Sequence, residues 1–311
     1  MMAAALMSTS VYAGQDATTD AFVTPSQDFK RLSGAFHVGA GTAYTCHGYV
    51  PTTEVVQGEG YGMAALQLAY DFGRESFWSY NGALSYKAPF SGHTLYGAPT
   101  HLRPELGGHP YAMDDKNIEN EFIIRNGLKY TRELWNAGFG YDFIHGGIPG
   151  VVAKHFDGES QSYMQQYWVS AEVTPVAWFS ADIQAARTFD TITGFWFEAH
   201  ARFKAPIIGS PEDIKLAGIL EFGISWTDRF YSEKHNACDN GIQAYWVKLS
   251  TPWFMNEAKN VILTPSVSFN WLGRGGRQAN KQSHAATYYG DRYVPFRDFA
   301  VVGDLTLTYK F

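Results

Sequence analysis

The sequence predicts an all-β protein: a closed, antiparallel transmembrane β-barrel of about 12 strands. Three observations support this prediction. Apolar and polar residues alternate in about 12 segments, most of them long enough for a tilted membrane crossing of ~9–11 residues. The connections between the segments are short on one side and long on the other. Aromatic residues concentrate at both ends of the segments, where membrane interfaces would lie.

The composition agrees with this fold. The chain has 311 residues, of which 16% are aromatic, 17% are charged and 31 are Gly. A helical membrane protein needs stretches of roughly 20 apolar residues, and the sequence has none. The net charge of −6 is mild, and nucleic-acid binding usually requires a clustered basic surface, so no nucleic-acid partner is expected. Since single barrels routinely exceed 200 residues, we expect one domain.

The N-terminus is typical of an export signal. Residues 1–10 are apolar or small, and Val11-Tyr12-Ala13 resembles a small-x-small cleavage site before Gly14. We therefore expect a signal peptide at 1–13, an N-terminal periplasmic segment at 14–34 and the barrel at 35–311. No Lys or Arg precedes the short apolar run, so the signal is truncated or the true start lies upstream. A disordered N-terminal tail is the alternative.

Each predicted strand has one apolar and one polar face, because successive side chains point to opposite sides of a sheet. In one example Phe195, Phe197 and Phe203 oppose Glu198 and Arg202. In chain order, the alternating segments are 36–45, 64–72, 78–87, 121–130, 135–143, 167–173, 179–185, 195–204, 216–226, 245–250, 261–271 and 303–311. An even number of strands leaves both termini on the periplasmic side.

The connections and the aromatic residues predict which side is which. Short turns are expected near 73–75, 131–134 and 174–177, and moderately longer ones at 205–215 and 252–259. The opposite connections are long, near 47–60, 88–118, 145–161, 228–240 and 273–297; only that near 189–192 is short. Short periplasmic turns and long extracellular loops are typical of the outer membrane. The aromatic residues form an inner girdle (Phe72, Trp78, Tyr130, Trp135, Phe179, Phe203, Tyr309, Phe311) and an outer girdle (Tyr44, Tyr86, Phe122, Tyr141, Trp226, Trp271).

The last segment ends on an aromatic residue. Gly303, Leu305, Leu307, Tyr309 and Phe311 share one face of this strand. The segment resembles the C-terminal signal strand of bacterial outer-membrane β-barrel proteins. The resemblance implies a membrane-insertion signal at these five residues and a location in a Gram-negative outer membrane. It also implies outer-membrane lipid, lipopolysaccharide and the barrel-assembly machinery as partners.

The polar face predicts a charged lumen. Its candidate lumen-facing residues are Lys87, Arg125, Lys129, Asp182, Glu198, His200, Arg202, Lys204, Glu221 and Lys248. Barrels of ~8 strands fill their interior with side chains, whereas those of ~16–18 enclose water, and 12 lies between. The charges therefore form either a self-neutralising plug or a narrow aqueous channel. The basic residues would favour anionic solutes in a channel.

The function expected from these features is a porin-like channel for passive diffusion of small hydrophilic solutes. One alternative is a non-conducting surface barrel that binds a partner through its extracellular loops. A third hypothesis is a lipid hydrolase at the barrel rim, using His145, His155 and Asp157. The sequence contains no G-x-S-x-G or H-E-x-x-H motif, so no catalytic residue and no enzyme activity is predicted. A soluble β-sandwich is the alternative fold.

The remaining candidate sites lie in predicted outer loops. His93, His101 and His109, followed by Asp114 and Asp115, match no compact ligand motif, so no metal or other cofactor is predicted. Cys46 and Cys238 fall on the same side of the barrel and can form a disulfide, or remain two free thiols. The bases of the last outer loop could bridge phosphates of lipopolysaccharide; they are Arg274, Arg277, Lys281 and Arg292.

Overall fold

The computed structural model describes residues 32–42, 60–73, 76–90, 120–146, 163–189, 193–210, 213–228, 241–274 and 299–311. Within these ranges the chain forms twelve long strands and one two-residue strand, β11. The strands are β1 (Leu32–Gly41), β2 (Tyr61–Asp71), β3 (Trp78–Pro89), β4 (Glu121–Thr131), β5 (Trp135–His145), β6 (Tyr163–Val176), β7 (Phe179–Phe189), β8 (Thr193–Ser210), β9 (Asp213–Thr227), β10 (Gly241–Ser250), β11 (Trp253–Phe254), β12 (Val261–Leu272) and β13 (Phe299–Lys310).

The long strands close into one barrel. Each pairs in antiparallel fashion with the strands before and after it, and β13 pairs with both β12 and β1, where Phe36 lies opposite Tyr309. β11 lies in the connection between β10 and β12 and pairs with β9 and β12. The predicted closed barrel of about 12 antiparallel strands is confirmed. The soluble two-sheet sandwich is excluded, because the described strands form a single closed sheet.

The two faces of the wall differ as the alternation predicts. On β13 the side chain of Leu307 is 42% exposed, whereas that of its neighbour Thr308 is 2% exposed. The same pattern runs through the other strands, with exposed apolar residues on the outside and buried polar residues on the inside. A large exposed apolar surface of this kind has no stabilising role in water, and in a bilayer it contacts lipid.

Connection lengths show the predicted asymmetry. On one side the strands are joined by short segments at 72–77, 132–134, 177–178, 211–212 and 251–260. On the other side the connections are 42–60, 90–120, 146–162, 228–240 and 273–298, and only 190–192 is short. We call the side of the short connections the inner side and the other the outer side. No helix in the described part of the chain is long and apolar enough to cross a membrane.

Three predicted boundaries were wrong. The first strand begins at Leu32, three residues inside the predicted periplasmic segment. The turn predicted at 205–215 is mostly strand, because β8 and β9 continue pairing as far as Ser210 and Asp213. β6 likewise extends through Pro175 to Val176. In each case backbone pairing continues past a residue that interrupts the apolar alternation. Residues 1–31 lie outside the described residues, so the signal peptide stays a prediction.

Aromatic rings cluster at both ends of the barrel. On the inner side the ring of Tyr130 lies 5.1 Å from that of Trp78 and 5.6 Å from that of Trp135. On the outer side the rings of Tyr167 and Phe189 stack at 4.6 Å. Amphipathic rings at two levels match the two interfaces of a bilayer.

Candidate functional site

The interior of the barrel is the candidate functional site. The structure places all ten predicted lumen-facing residues on the inward face of their strands. All are buried except Asp182, whose side chain is 14% exposed. Their position follows from the two-residue period, since the opposite face of each strand is apolar. Seven of the ten take part in three clusters, a first around Arg125, a second around Arg202 and a third around Asp304.

The Arg125 cluster joins four strands. The guanidinium donates from Nε to Asp142 Oδ1 at 2.9 Å and from Nη2 to Asp142 Oδ2 at 2.8 Å, a two-pronged pair between β4 and β5. Gln166 Nε2 on β6 donates to the same carboxylate at 2.8 Å, and Trp196 Nε1 on β8 donates to Gln166 Oε1 at 2.9 Å. The guanidinium also lies 4.9 Å from the ring centre of Trp168. Every member is therefore held by at least one neighbour on another strand.

The Arg202 cluster joins β7, β8, β9 and β10. Arg202 donates from Nε to Glu221 at 2.7 Å and from Nη1 to Asp182 at 3.1 Å. His200 Nδ1 lies 3.0 Å from the same Asp182 carboxylate. Trp246 Nε1 donates to the other oxygen of Glu221 at 3.0 Å. One arginine thus bridges two carboxylates that come from the strands on either side of it.

The third cluster crosses the closure of the barrel. Lys248 Nζ on β10 lies 3.8 Å from Asp304 on β13, and Tyr61 on β2 donates to the same carboxylate at 3.0 Å. Lys87 on β3 lies 4.7 Å above the Tyr61 ring. The three clusters together place polar contacts on most of the circumference.

The ion pairs described above follow the wall. Arg125 and Asp142 lie on neighbouring strands, as do Arg202 and each of its two carboxylates. Lys248 and Asp304 are separated by one strand, β12. Arg125, Arg202 and Lys248 are therefore each paired with a carboxylate along the wall. The predicted preference for anions loses its basis at Arg125 and Arg202, because both are paired with carboxylates.

Three buried tryptophans complete the interior, and the sequence reasoning missed them. Trp168, Trp196 and Trp246 occupy inward positions. A Cβ added to Gly127 or Gly140 would lie 2.6 Å from the Trp168 ring, so bare glycine backbone lets this indole lie against the wall. Trp246 lies over Gly223 in the same way. The sequence did contain a signal for their position. Each tryptophan is two residues from a polar inward residue, and residues two apart on a strand share a face.

An apolar cluster and a small cavity lie next to each other in the interior, and Trp168 belongs to both. Inward-facing Ile123, Ile144 and Met164 pack with two of the tryptophans on the outer half of β4–β8. A cavity of about 30 Å³ lies between the inward faces of β3–β7. It is large enough for water. Its lining includes Asn81, Arg125, Lys129, Glu172, Asp182 and Gln184.

Four residues of the predicted insertion signal lie on the outward face of β13, and the fifth, Phe311, follows the strand directly and pairs with β1. The backbone of Phe311 exchanges two hydrogen bonds with that of Gly34 on β1, at 3.0 and 3.1 Å. A Cβ on Gly34 would lie 2.6 Å from the Phe311 ring, so glycine allows this ring to cover the first strand. The terminal aromatic residue thus contacts both its own girdle and the joining strand.

The remaining predicted sites are mostly outside the described residues. Among the described residues, no group of three His, Cys, Asp or Glu side chains could hold a metal ion. His145 is the last residue of β5 and is exposed on the outward face. Outside the described ranges lie Cys46, Cys238, His93, His101, His109, Asp114, Asp115, His155, Asp157, Arg277, Lys281 and Arg292.

Comparisons with known proteins find no match in sequence and only distant likenesses in structure. The chain matches no protein-family model, and no curated protein matches it in sequence. Among solved structures it is similar to a KdgM porin (6% identity, TM-score 0.43, 90% of this chain and 99% of that one). It is also similar to the COG4313 outer membrane channel from Pseudomonas putida F1 (8%, 0.46, 93% and 100%) and to a NanC porin (8%, 0.43, 90% and 100%). These likenesses are distant, and the fold assignment rests on the strand pairing of the chain itself.

Proposed function

We propose that this protein is a porin-like channel of the bacterial outer membrane that lets small hydrophilic solutes diffuse through its barrel. The observation that carries the proposal is the arrangement of interior charge. Paired charges follow the inner surface of a closed wall whose outer surface is apolar. Such a wall presents polar groups to a solute while it separates that solute from lipid.

Pairing along the wall also supports a narrow path over a general plug. An ion pair between opposite walls would have to break before a solute could pass, whereas a pair between neighbouring strands need not. We therefore expect a low conductance with weak charge selectivity, since Arg125 and Arg202 are already neutralised. Outer-membrane lipid, lipopolysaccharide and the barrel-assembly machinery remain the proposed partners.

One observation favours a second function. Many interior side chains are almost completely buried; Asp142 and Gln166, for example, are 0% exposed. Burial of this degree is what a filled lumen would show. A non-conducting barrel would then act through its outer connections.

A solute-flux experiment separates the two. Liposomes containing the folded protein are placed in isosmotic solutions of arabinose, glucose or raffinose, and swelling is followed by light scattering. The channel predicts swelling that is fastest for arabinose and slowest for raffinose. Empty liposomes and liposomes with unfolded protein are the controls. If the protein is folded and inserted, yet its liposomes swell no faster than the controls, the non-conducting function would be established instead.

A further inference from the structure

One charged residue interrupts the apolar outer surface. Arg187 faces outward on β7, two residues before the outer end of the strand, and is exposed. Apart from the tip of the β8–β9 hairpin, the outward-facing strand residues that the structure describes include no other Asp, Glu, Lys or Arg. A charge on the lipid face is costly at the membrane centre and nearly free at the interface. Its position therefore places Arg187 at the level of the lipid headgroups.

The surroundings of Arg187 are aromatic and polar. Tyr167 on β6 and Phe195 on β8 are its direct cross-strand neighbours. Phe189 stacks on Tyr167, and Gln165, two residues from Tyr167 on the same face, accepts a hydrogen bond from a tyrosine hydroxyl on β5. We call Gln165, Tyr167, Arg187, Phe189 and Phe195 the outer basic patch. It combines one fixed positive charge with rings that can contact acyl chains.

A second exposed arginine shows what is unusual about Arg187. Arg132 lies in the inner turn between β4 and β5, also among aromatic rings. Its Nε donates to the Tyr130 hydroxyl at 2.8 Å, and its guanidinium lies 3.5 Å from the ring centre of Phe77. The side chain of Arg187 makes no hydrogen bond, ion pair or ring contact with any part of the chain that the structure describes. Arg132 donates to a group within the protein. The donors of Arg187 are left for an acceptor outside the protein.

We propose that the outer basic patch binds lipid A of lipopolysaccharide, with the Arg187 guanidinium on a phosphate and the rings against acyl chains. The inference rests on the proposed outer-membrane location, in which the long connections face the cell exterior. Lipid A is the phosphorylated lipid of that leaflet, and a guanidinium can donate two parallel hydrogen bonds to a phosphate. Tyr167 and Phe195 flank the charge at the level where the acyl chains begin.

The test compares Arg187→Gln with Arg132→Gln, which removes an exposed arginine from the opposite side of the barrel. Binding of diphosphoryl lipid A to each detergent-solubilised, refolded barrel is measured by native mass spectrometry. Arg187→Gln is expected to weaken binding about tenfold, and Arg132→Gln to leave it unchanged. Lipid A without phosphates is expected to bind the wild type and Arg187→Gln equally weakly. Arg187→Lys, which keeps the charge, provides a second variant and should show an intermediate loss.

Two results would overturn the inference. One is that Arg187→Gln binds lipid A as tightly as the wild type does. The other is that phosphatidylglycerol competes for the patch as effectively as lipid A does, which would assign the patch to phospholipid. The channel proposal is tested separately by solute flux. Arg187→Gln should swell liposomes at the wild-type rate, because the residue faces away from the lumen. Lipid A binding without flux would therefore contradict only the channel, and flux without Arg187-dependent binding only the patch.

Discussion

The Arg125 and Arg202 clusters both pair a buried guanidinium with carboxylates, but they distribute the contacts differently. Each contains a guanidinium inside the barrel and a tryptophan that lies on glycine backbone: Trp168 lies beside Arg125, and Trp246 donates to Glu221, a partner of Arg202. Arg125 gives both of its carboxylate contacts to one residue, Asp142, which also accepts a bond from Gln166. Arg202 divides its contacts between Asp182 and Glu221 on two strands. We therefore expect the cost of removing each arginine to depend on the number of carboxylates that lose their cation.

The largest effect is expected at Arg202. Arg202→Gln leaves the carboxylates of Asp182 and Glu221, on the two strands that flank β8, without their shared cation, and we expect a loss of about 3–5 kcal/mol in the free energy of unfolding. Urea unfolding in lipid vesicles, followed by tryptophan fluorescence, measures it. Arg132→Gln, on the exposed inner turn, is the control and should change stability little. Equal small losses in both variants would show that the bridge contributes nothing.

A smaller effect is expected at Arg125. Arg125→Gln leaves one carboxylate, that of Asp142, without its cation. Because Asp142 keeps its hydrogen bond from Gln166, the same unfolding measurement should show a loss of about 2 kcal/mol. Adding Asp142→Asn removes the stranded charge, and the double variant should be more stable than Arg125→Gln alone. If the double variant were less stable than the single one, pairing with Asp142 would not be the reason for the loss.

The smallest of the three effects concerns the glycine under Trp246. A Cβ at Gly223 would overlap the indole ring, so Gly223→Ala must shift Trp246 away from Glu221. We expect a loss of about 1 kcal/mol, at the low end of the cost of overpacking, because the ring of Trp246 can shift. Gly82→Ala is the matched control, because the nearest atom to its new Cβ is 3.6 Å away. Truncating Trp246 to leucine should abolish the effect; a Gly223→Ala loss that persists there would reflect backbone strain.

Much of the barrel could be predicted because its rules are local. The two-residue period fixes which side chains face inward, and a short hairpin fixes register: β4 and β5 join at 132–134, which brings Arg125 opposite Asp142. The pair between Lys248 and Asp304 was harder, since it depends on how β12 and β13 align across a long connection.

The tryptophans show where sequence reasoning failed. Aromatic residues in such a sequence are expected at the membrane interfaces, and Trp168 and Trp246 are instead buried inside. Their inward position is stable only because Gly140 and Gly223 on neighbouring strands leave room for the rings. That complementarity is a property of paired strands, so a reading of one strand at a time could not find it.

The most direct test of the central claim is single-channel recording of the refolded protein in a planar lipid bilayer. We expect discrete current steps of small amplitude and a reversal potential near zero in a potassium chloride gradient, because Arg125, Arg202 and Lys248 are each paired with a carboxylate along the wall. Protease protection and heat-modified electrophoretic mobility establish that the protein is inserted and folded. An absence of current steps from such protein would contradict the channel.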